Sequence, residues 1–370
     1  MTGKKVYRAI GLMSGTSLDG VDAALIETDG EDVVRPLAGI TLPYEPRMRE
    51  RIRRCLGVDD PKHPEVLEVE RLMTYRHAAA VEELLGKAGY LDVDVIGFHG
   101  QTLMHDPASR KTWQIGDGAL LASQMKIPVV NDFRTQDVKA GGQGAPFLPI
   151  YHQARARADQ LIGPDKGPVA ILNLGGVANV TWIGEHPEQL VAFDTGPGNA
   201  LMDDLVYTRT GQSYDADGIL AAKGTVAKQI VENWMALPFF TMPVPKSLDR
   251  NTWDVSAIEY LSLEDALATL AEFTVESVAL AERLLQKKPA KWVVTGGGRH
   301  NSYLMKRLSD CLKGTVSQTE SVGWNGDTLE AEGFAYLAVR SLRGLPLSYP
   351  KTTGVPAPQT GGTLHIHQDN

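Results

Sequence analysis

The sequence has little cysteine, no basic run and no long apolar run. Among its 370 residues are two cysteines, Cys55 and Cys311, whose separation fits neither a metal site nor a redox motif, so we expect a reduced, cytosolic protein. The formal net charge of −8 and the lack of clustered lysine and arginine argue against nucleic acid and anionic membranes as partners. No stretch has the length and apolarity of a membrane span, and the first residues lack a secretion signal. We therefore expect a cytoplasmic location.

The stretch that stands out most, residues 9–22, also lacks the two common nucleotide-binding motifs. It reads Ala-Ile-Gly-Leu-Met-Ser-Gly-Thr-Ser-Leu-Asp-Gly-Val-Asp, with neither Gly-Lys-Ser/Thr nor Gly-x-Gly-x-x-Gly. This pattern predicts an apolar strand, a tight turn and a second strand that ends at Glu27. Such a turn presents backbone N–H groups and hydroxyls to one point, as phosphate oxygens require. An ordinary hairpin with a polar tip fits this segment equally well.

Two glycines and two aspartates would give this turn its chemistry. Gly15 and Gly20 let the backbone approach a ligand closely. Asp19 and Asp22 lie too near the expected phosphates to help as bare anions. They therefore predict a divalent cation between the carboxylates and the phosphates.

A strand, a turn containing glycine and a second strand occur twice along the chain. The first copy is residues 6–13 and 21–27, and the second is residues 169–174 and 177–183. We interpret this as a duplication of architecture with little residue identity. Further predicted strands are 33–42, 94–98, 127–130, 190–193 and 291–295, and predicted helices are 47–55, 64–88, 226–237, 263–286, 301–312 and 328–343.

Residues 140–146 are the predicted link between two domains. Their sequence, Ala-Gly-Gly-Gln-Gly-Ala-Pro, suits neither a helix nor a strand interior. We expect this segment to let the two halves open and close around ligands. Residues 113–118 are predicted as a turn, and His365 and His367 as part of a frayed tail.

Glycines follow four of the predicted strands. In an open α/β sheet, ligands bind beyond the carboxyl ends of strands, and glycines there allow close approach. Two halves with such ends point to a nucleotide held between two domains. The glycines are Gly15, the pair Gly175 and Gly176, the pair Gly196 and Gly198, and the run Gly296, Gly297 and Gly298.

Asp194 is the strongest candidate for a catalytic carboxylate. It follows an apolar strand and precedes two glycines, so partial burial would hold it and raise its pKa, as a general base requires. A structural role is equally compatible with the sequence. In that case Asp194 would cap its own turn by accepting from the N–H of Gly196 or Gly198.

Other polar residues at strand or helix ends have similar double interpretations. His99 follows a strand, and a lone histidine there favours a positioning hydrogen bond over catalysis. Arg134 also ends a strand and could bind a carboxylate through its guanidinium, or lie at the surface. Glu330 opens a predicted helix, where an acid is often only a partner of the helix dipole.

These motifs together resemble the anhydro-N-acetylmuramic acid kinase family. The resemblance begins with residues 11–22 and covers nearly the whole chain. One departure is Leu329-Glu330 where Met-Glu is expected, which leaves open whether Glu330 or Glu332 faces the substrate. The other matching segments are 99–102, 114–116, 132–134, 141–146, 172–176 with Asn179, 193–199, 246–247 and 296–298.

The resemblance implies a role for each matching residue. Asp194 would be the catalytic base, and Arg134 would bind the lactyl carboxylate of the sugar. ATP and Mg²⁺ are the implied cofactors, with Asp19 and Asp22 near the metal. The phosphate-binding hairpin would be Gly15, Thr16, Ser17, Leu18, Asp19, Gly20, Val21 and Asp22; the second phosphate loop Gly175 and Gly176 with Asn179; the adenosine site Gly296, Gly297 and Gly298; and the sugar pocket His99, Gln101, Thr102, Arg134 and Glu330.

The family belongs to the actin-like superfamily of sugar kinases, heat-shock ATPases and actin. It implies an α/β fold of two ribonuclease-H-like (actin-like ATPase) domains with an ATP cleft between them. We assign residues 1–140 and 340–370 to domain I and residues 141–339 to domain II. The implied reaction opens the ring of 1,6-anhydro-N-acetylmuramic acid, phosphorylates O6 and serves the recycling of cell-wall sugar. The resemblance also suggests a homodimer.

Three other functions fit the same superfamily. An ordinary sugar kinase would act on a free hydroxyl and need no lytic water. A heat-shock type ATP switch usually carries a peptide-binding domain, for which 370 residues leave no room. A zinc-dependent relative would need two histidines on one helix turn, and His77 has no partner at 73 or 81.

Overall fold

The computed structural model describes residues 4–15, 17–89, 92–248 and 253–367. The chain forms two compact units, one of Met1–Gln160 with Asp327–Asn370 and the other of Leu161–Gly326. We call them unit 1 and unit 2. These bounds differ from the predicted domain boundaries, which fall after residues 140 and 339.

The predicted strands and helices all have counterparts, and most ends are shifted by a few residues. The strand Val95–Asp106 runs well past its predicted end at residue 98, so His99 lies within it and does not follow it. The described strands are β1 (Tyr7–Ser14), β2 (Gly20–Thr28), β3 (Val34–Pro43), β4 (Val95–Asp106), β5 (Lys111–Ile115), β6 (Val129–Asn131), β7 (Val169–Leu174), β8 (Val177–Ile183), β9 (Leu190–Pro197), β10 (Lys291–Thr295), β11 (Thr315–Gln318) and β12 (Thr363–His365). The described α-helices are α1 (Pro46–Cys55), α2 (Pro64–Ala88), α3 (Gly118–Met125), α4 (Thr135–Lys139), α5 (Pro149–Ala158), α6 (Ala200–Thr210), α7 (Lys228–Met235), α8 (Leu263–Leu284), α9 (Ser302–Cys311) and α10 (Leu329–Leu342).

Unit 1 is built on a mixed sheet with the order β12-β6-β4-β1-β2-β3. Strands β1, β2 and β3 form an antiparallel meander. Strand β4 lies parallel to β1 on the other side, and β6 lies parallel to β4. Strand β5 pairs with the far end of β4.

Unit 2 repeats this arrangement in the order β11-β10-β7-β8-β9. Strands β7, β8 and β9 form the antiparallel meander, and β10 and β11 continue the sheet in parallel. Each unit therefore has three antiparallel strands followed by two parallel ones beside the first strand. This is the ribonuclease-H-like arrangement, and it confirms the predicted duplication and the α/β fold.

Helix α10 explains why unit 1 includes residues near the C-terminus. It packs on β1, β2 and β4, and glycines in the strands bring the backbones close together. A Cβ atom on Gly11 would lie 1.7 Å from the carbonyl oxygen of Ala331, and one on Gly97 would lie 2.1 Å from that of Phe334. Any side chain at either glycine would push the helix off the sheet.

Unit 2 has a core rich in aromatic side chains on one face of its sheet. Trp234, Phe239, Phe240, Trp253 and Phe273 pack around one another, with Phe240 stacked on Trp253 at 5.5 Å between ring centroids. Phe273 belongs to α8, which lies against β9. This packing gives the end of β9, which carries Asp194, a rigid support.

Three regions differ from their sequence-based predictions. Residues 113–115 continue β5, because β4 is long enough to pair with them. The predicted frayed tail contains β12, which pairs with β6, and His365 Nε2 lies 2.9 Å from Asn131 Oδ1. Residues 141–146 lie within unit 1 and so do not mark the division between the units.

No helix in the described part of the chain is both long and apolar enough to cross a membrane.

Candidate active site

The tip of the β1–β2 hairpin in unit 1 presents polar groups to the surface. Leu18 has a left-handed backbone (φ 58°), is buried, and donates from its N–H to the carbonyl of Gly15 at 3.1 Å. This anchor leaves Ser17 and Asp19 exposed on either side of it. Thr16 lies outside the described residues, while Gly20 and Val21 begin β2.

Asp22 is the carboxylate of the hairpin with the most unusual environment. It accepts a hydrogen bond from Thr41 Oγ1 at 2.6 Å. Its pKa is raised to about 7, first by burial and then by the nearby charges of Glu330, Asp327 and Asp19, while the hydrogen bond from Thr41 opposes the rise. Such a concentration of negative charge is a favourable place for a cation.

Asp19 differs from Asp22 because its carboxylate is solvent-exposed. It lies 3.2 Å from Arg49 Nη2 in a surface ion pair. Among the residues that the structure describes, no group of three His, Cys, Asp or Glu side chains is arranged to hold a metal ion. A cation here would therefore need oxygens from a ligand as well as the protein's carboxylates.

A buried hydrogen-bond network joins the base of the hairpin to β4. Ser14 Oγ lies 2.8 Å from Gln101 Oε1 and 2.9 Å from the hydroxyl of Tyr44. Gln101 has no exposed surface, so it acts here as a link between β1 and β4. Thr102, the next residue, accepts a hydrogen bond from Gln114 Nε2 at 3.3 Å.

Buried His99, within β4, and half-buried Arg134, just after β6, form a hydrogen-bonded pair. Arg134 Nε donates to His99 Nε2 at 3.0 Å. Because the guanidinium only donates, Nε2 is the accepting nitrogen, and Nδ1 carries the proton that it donates to the Gly100 carbonyl at 2.8 Å. Burial lowers the pKa of His99 well below its usual range, and the charge of Arg134 lowers it further. His99 is therefore a neutral positioning group.

Arg134 has one end of its guanidinium committed to the protein. Its Nη1 donates to the carbonyl of Gly144 at 2.6 Å. Burial lowers the pKa of Arg134 to about 10, while the charges of Glu330 and Asp137 oppose that change. Its hydrogen bonds to described residues use Nε and Nη1, so Nη2 is the atom available to a ligand anion.

Glu330 and Glu332 on α10 have different surroundings. Glu332 is buried and accepts a short hydrogen bond from the hydroxyl of Tyr151. Burial raises the pKa of Glu332 to about 6. Glu330 is half-buried, and its charge acts on both Asp22 and Arg134. Of the two acids, Glu330 is the one close to the other candidate residues.

In unit 2, the glycine-marked ends of three strands meet at one edge of the sheet. The N–H groups of Gly198 and Asn199, after β9, donate to the carbonyls of Gly176 and Gly175, after β7, at 3.0 and 2.8 Å. Gly296, after β10, has φ 80°, and a Cβ atom there would lie 2.6 Å from the Leu174 carbonyl oxygen. The edge is thus formed largely by backbone, which suits the close approach of a phosphate or nucleoside.

Gly297 and Gly298 continue the third of these turns in a short 3-10 helix. A Cβ atom on Gly298 would lie 2.7 Å from Leu174 Cβ. Asn179 lies opposite Asp194 in the β8–β9 register and is half-buried. Every unit 2 residue in the predicted site therefore lies on β8, on β9 or in the turns after β7, β9 and β10.

Asp194 is held by the segment 246–248. Its N–H donates to the Lys246 carbonyl at 2.9 Å, and its Oδ2 accepts from the N–H of Leu248 at 2.8 Å. The N–H of Gly198 instead donates to Gly176, so Asp194 does not cap its turn through Gly198. The side chain is only 7% exposed. Burial raises the pKa of Asp194 to about 7, a value that already includes the opposing effect of the Leu248 hydrogen bond.

Lys246 anchors the segment that holds Asp194. Its Nζ is buried, donates to the Phe239 carbonyl at 2.9 Å and lies 4.3 Å from the centre of the Phe239 ring. Burial lowers the pKa of Lys246. Sequence reasoning gave this lysine no role, because the contact with Asp194 depends on how a loop folds back on β9.

Thr41 and Asp327 are the other neighbours of Asp22 that sequence reasoning missed. Thr41 pairs with Asp22 in the β2–β3 register. Pairing the two predicted strands would have found it, since opposite residues of an antiparallel pair lie side by side. Asp327 comes from far along the chain, and no local pattern signals its approach.

Comparison with known proteins gives a consistent result. Residues 7–366 match a family model described as anhydro-N-acetylmuramic acid kinase. A curated protein of that name from Rhizorhabdus wittichii is 51% identical over 364 residues, covering 96% of this chain and 98% of the relative. Another from Paramagnetospirillum magneticum is 52% identical over 363 residues, covering 97% and 99%. A solved ROK family glucokinase from Streptomyces griseus is far more distant, with a TM-score of 0.43 and 14% identity over 90% of this chain and 99% of that chain.

Proposed function

Since the chain belongs to the anhydro-N-acetylmuramic acid kinase family, we propose that this kinase opens and phosphorylates 1,6-anhydro-N-acetylmuramic acid at the expense of ATP. The products would be N-acetylmuramate 6-phosphate and ADP. The substrate has no free 6-hydroxyl, because O6 is bonded to C1. Transfer of a phosphoryl group to O6 therefore requires that the C1–O6 bond break.

The observation that carries the proposal is the state of Asp194. Its carboxyl is buried, accepts a hydrogen bond from the N–H of Leu248, and has a pKa of about 7. A general base works best when its pKa lies near the working pH. Asp194 is thus suited to remove a proton from a water molecule that attacks C1. A kinase that transfers phosphate to a free 6-hydroxyl would need no such water.

In the proposed reaction, Asp194 accepts a proton from a water molecule whose oxygen attacks C1. The C1–O6 bond breaks, the water oxygen becomes the new hydroxyl at C1, and the bonding electrons remain on O6. O6 then takes the γ-phosphoryl group, so ADP leaves. The first half resembles inverting glycoside hydrolysis, in which a carboxylate activates water. The phosphoryl group takes the place of the proton on the leaving oxygen.

The glycine-rich turns are proposed to bind the nucleotide. In unit 1, the backbone around Gly15, Ser17 and Gly20 would bind phosphate oxygens. In unit 2, the turns at 175–176 and 296–298 would contact phosphate and adenosine respectively. Positioning and neutralisation of charge are the main protein contributions to phosphoryl transfer.

Mg²⁺ fits the environment of Asp22. Burial and three neighbouring carboxylates raise the pKa of Asp22, and a bound cation would relieve that unfavourable charge. Mg²⁺ commonly uses one or two carboxylates together with phosphate oxygens. We propose Asp22 as the main protein ligand and the exposed Asp19 as a minor one. The ion would supply neutralisation of phosphate charge.

The sugar pocket is proposed to lie beside the middle of β4 and just after the carboxyl end of β6. Arg134, with Nη2 directed to a ligand, would bind the lactyl carboxylate, and neutral His99 would hold its guanidinium. Glu330 and Thr102 would bind polar groups of the sugar. Gln101 is proposed to shape the pocket through Ser14, since its side chain is buried.

Substrate choice separates this function from an ordinary sugar kinase. We expect ADP release, followed in a coupled assay, to depend on 1,6-anhydro-N-acetylmuramic acid. N-acetylmuramic acid and N-acetylglucosamine, which have a free 6-hydroxyl, are the comparison substrates. A rate with either of these that equals or exceeds the rate with the anhydro sugar would instead favour the ordinary kinase.

The homodimer suggested by the family resemblance also remains a proposal. Light scattering coupled to size-exclusion chromatography tests it directly. A mass of twice 40.2 kDa is expected, and the mass of a single chain across the concentration range would contradict it.

A further inference from the structure

A buried carboxylate lies behind Arg134 and has no place in the proposed reaction. Asp137 on α4 is 1% exposed. Its Oδ1 accepts from the N–H of Gly144 at 2.7 Å. Its Oδ2 accepts from Ser348 Oγ and Thr353 Oγ1, each at 2.5 Å. Both oxygens are thus used, by a glycine-rich loop on one side and the C-terminal segment on the other.

The backbone of Gly144 connects this carboxylate to the proposed sugar pocket. While its N–H donates to Asp137, its carbonyl accepts from Arg134 Nη1 at 2.6 Å. With His99 on Nε, this carbonyl fixes the guanidinium at two points. A shift of Gly144 would therefore change the direction in which Nη2 points.

Two glycines of the loop 141–146, Gly142 and Gly144, allow it to pack closely against α4. A Cβ atom on Gly142 would lie 2.3 Å from Asp137 Oδ1, and one on Gly144 would lie 2.5 Å from Val138 Cγ2. Gly144 also has φ 66°, a conformation that glycine adopts without strain. The sequence pattern that suggested a flexible link thus arises from a tightly held loop.

The C-terminal segment completes the support of this loop. The N–H of Gln143 donates to the carbonyl of Thr353 at 2.6 Å, next to the bond from the Thr353 hydroxyl to Asp137. On the other side of the loop, His105 Nε2 lies 2.9 Å from the Gln143 carbonyl. Residues more than 200 positions apart along the chain, as Asp137 and Ser348 are, therefore act on one loop.

We propose that Asp137 is a positioning residue for recognition of the substrate carboxylate. It ties the loop 141–146 to Ser348 and Thr353, and the Gly144 carbonyl in that loop orients the guanidinium of Arg134. The proposal rests on the proposed function of Arg134 as the partner of the lactyl carboxylate. By this proposal the C-terminal segment affects substrate affinity through its hydrogen bonds to Asp137, without contacting the sugar itself.

A double-mutant cycle between Asp137 and Arg134 tests the proposal. The variants Asp137→Asn, Arg134→Ala and the double variant are compared by KM for the sugar, KM for ATP and kcat, with Kd from calorimetry where turnover is too low. Hydrogen bonds to a charged group correspond to roughly a tenfold change in affinity. We expect Asp137→Asn to raise KM for the sugar by about that factor, with kcat and KM for ATP changed less than about threefold.

The double variant gives the decisive comparison. If Asp137 acts through Arg134, adding Asp137→Asn to Arg134→Ala changes sugar affinity no further. Effects that multiply in the double variant, or equal losses for sugar and ATP, would overturn the proposal. If Arg134→Ala itself leaves sugar affinity unchanged, the proposed role of Arg134 fails, and that outcome is distinct from failure of the coupling alone.

Two further variants guard against a simple folding effect. Ser348→Ala with Thr353→Val removes two hydroxyl donors and leaves the carboxylate in place, and it should reproduce the rise in sugar KM. Asp215→Asn in unit 2 is the matched control, because Asp215 is also buried and accepts from the N–H groups of Leu220 and Ala221 at 2.9 Å. A rise in sugar KM of the same size in Asp215→Asn would count against a specific role for Asp137.

Discussion

Replacing Asp194 with asparagine should make the protein more stable and far less active. The folded protein raises the pKa of this carboxyl from 3.8 to about 7, so it binds a proton more tightly than the unfolded chain does. Stability therefore decreases as the pH rises from about 4 to about 7, and stays at its reduced level above that range. Asparagine removes the ionisation and keeps an oxygen that can accept from Leu248.

The size of both effects follows from the same carboxyl. Each pKa step corresponds to 1.36 kcal/mol, so the cost of ionising Asp194 above pH 7 is at most about 4 kcal/mol. A gain of that order raises Tm by about 2–4 °C per kcal/mol in a domain of this size. Loss of a general base lowers turnover by about 10²–10⁴-fold. The change thus exchanges activity for stability.

Calorimetry at pH 5 and pH 8 and a coupled assay of ADP release measure these two effects. We expect the Tm gain of Asp194→Asn to be larger at pH 8. We expect wild-type kcat to be half-maximal near pH 7 and to reach its plateau about one pH unit higher, because the base has a pKa of about 7. The buried Asp215 is the control, because Asp215→Asn loses charge-assisted hydrogen bonds and should lower Tm. A wild-type rate that is flat from pH 5.5 to 8.5, or an Asp194→Asn variant within tenfold of normal turnover, would refute the reasoning.

Three other predictions concern unit 1. Gly97→Ala should destabilise the protein by about 3 kcal/mol or more in denaturant titrations, because its Cβ would meet the backbone of α10. Gly86→Ala is the control and should stabilise by about 1 kcal/mol, because Gly86 lies in a helix with open space around it. Equal effects of the two changes would contradict this packing. Glu330→Gln should raise KM for the sugar, whereas Glu332→Gln should leave it unchanged and raise Tm above pH 6, where the buried acid would otherwise ionise. The reverse KM pattern would reassign the sugar contact. Asp22→Asn should increase the Mg²⁺ concentration for half-maximal rate by roughly tenfold, and an unchanged Mg²⁺ dependence would remove Asp22 as a ligand.

The strands and the duplicated architecture were predictable because their signals are local. Buried strands such as β7 and β10 are short apolar runs that end on glycines, and their bounds match the predictions. The β1–β2 hairpin follows from two apolar runs around a turn of small residues. In the hairpin each residue's partners in the sheet are also near it in sequence, whereas β7 and β10 are recognisable from their own apolar runs alone, although they pair across a long stretch of chain.

The misinterpreted segments depend on partners that are distant in sequence. Residues 113–115 look like part of a turn until β4 is known to extend far enough to pair with them. The strand β12 is too short to be recognised and exists because β6 offers an edge. The loop 141–146 has the composition of a linker, and only the buried carboxylate of Asp137 shows why its glycines are needed.

The candidate site shows the same division. The glycine-marked strand ends around Asp194 could be predicted, since ligands bind at such ends, whereas His99 was wrongly placed after a strand that in fact continues to Asp106. The groups that set their properties could not be predicted. Lys246 supports Asp194 from a returning loop, and Asp137 supports Arg134 through the backbone of Gly144, so both act by contacts that no spacing in the sequence reveals.

The most direct test of the central claim follows the oxygen of water into the product. The protein is incubated with 1,6-anhydro-N-acetylmuramic acid and Mg-ATP in ¹⁸O-water, and the sugar product is analysed early by mass spectrometry. A parallel sample of N-acetylmuramate 6-phosphate in the same water corrects for exchange of the oxygen at C1. The account predicts a 6-phosphate with one heavy oxygen at C1 and none in the phosphate. A phosphorylated sugar whose anhydro ring is intact, or whose C1 oxygen carries no label beyond exchange, would contradict it.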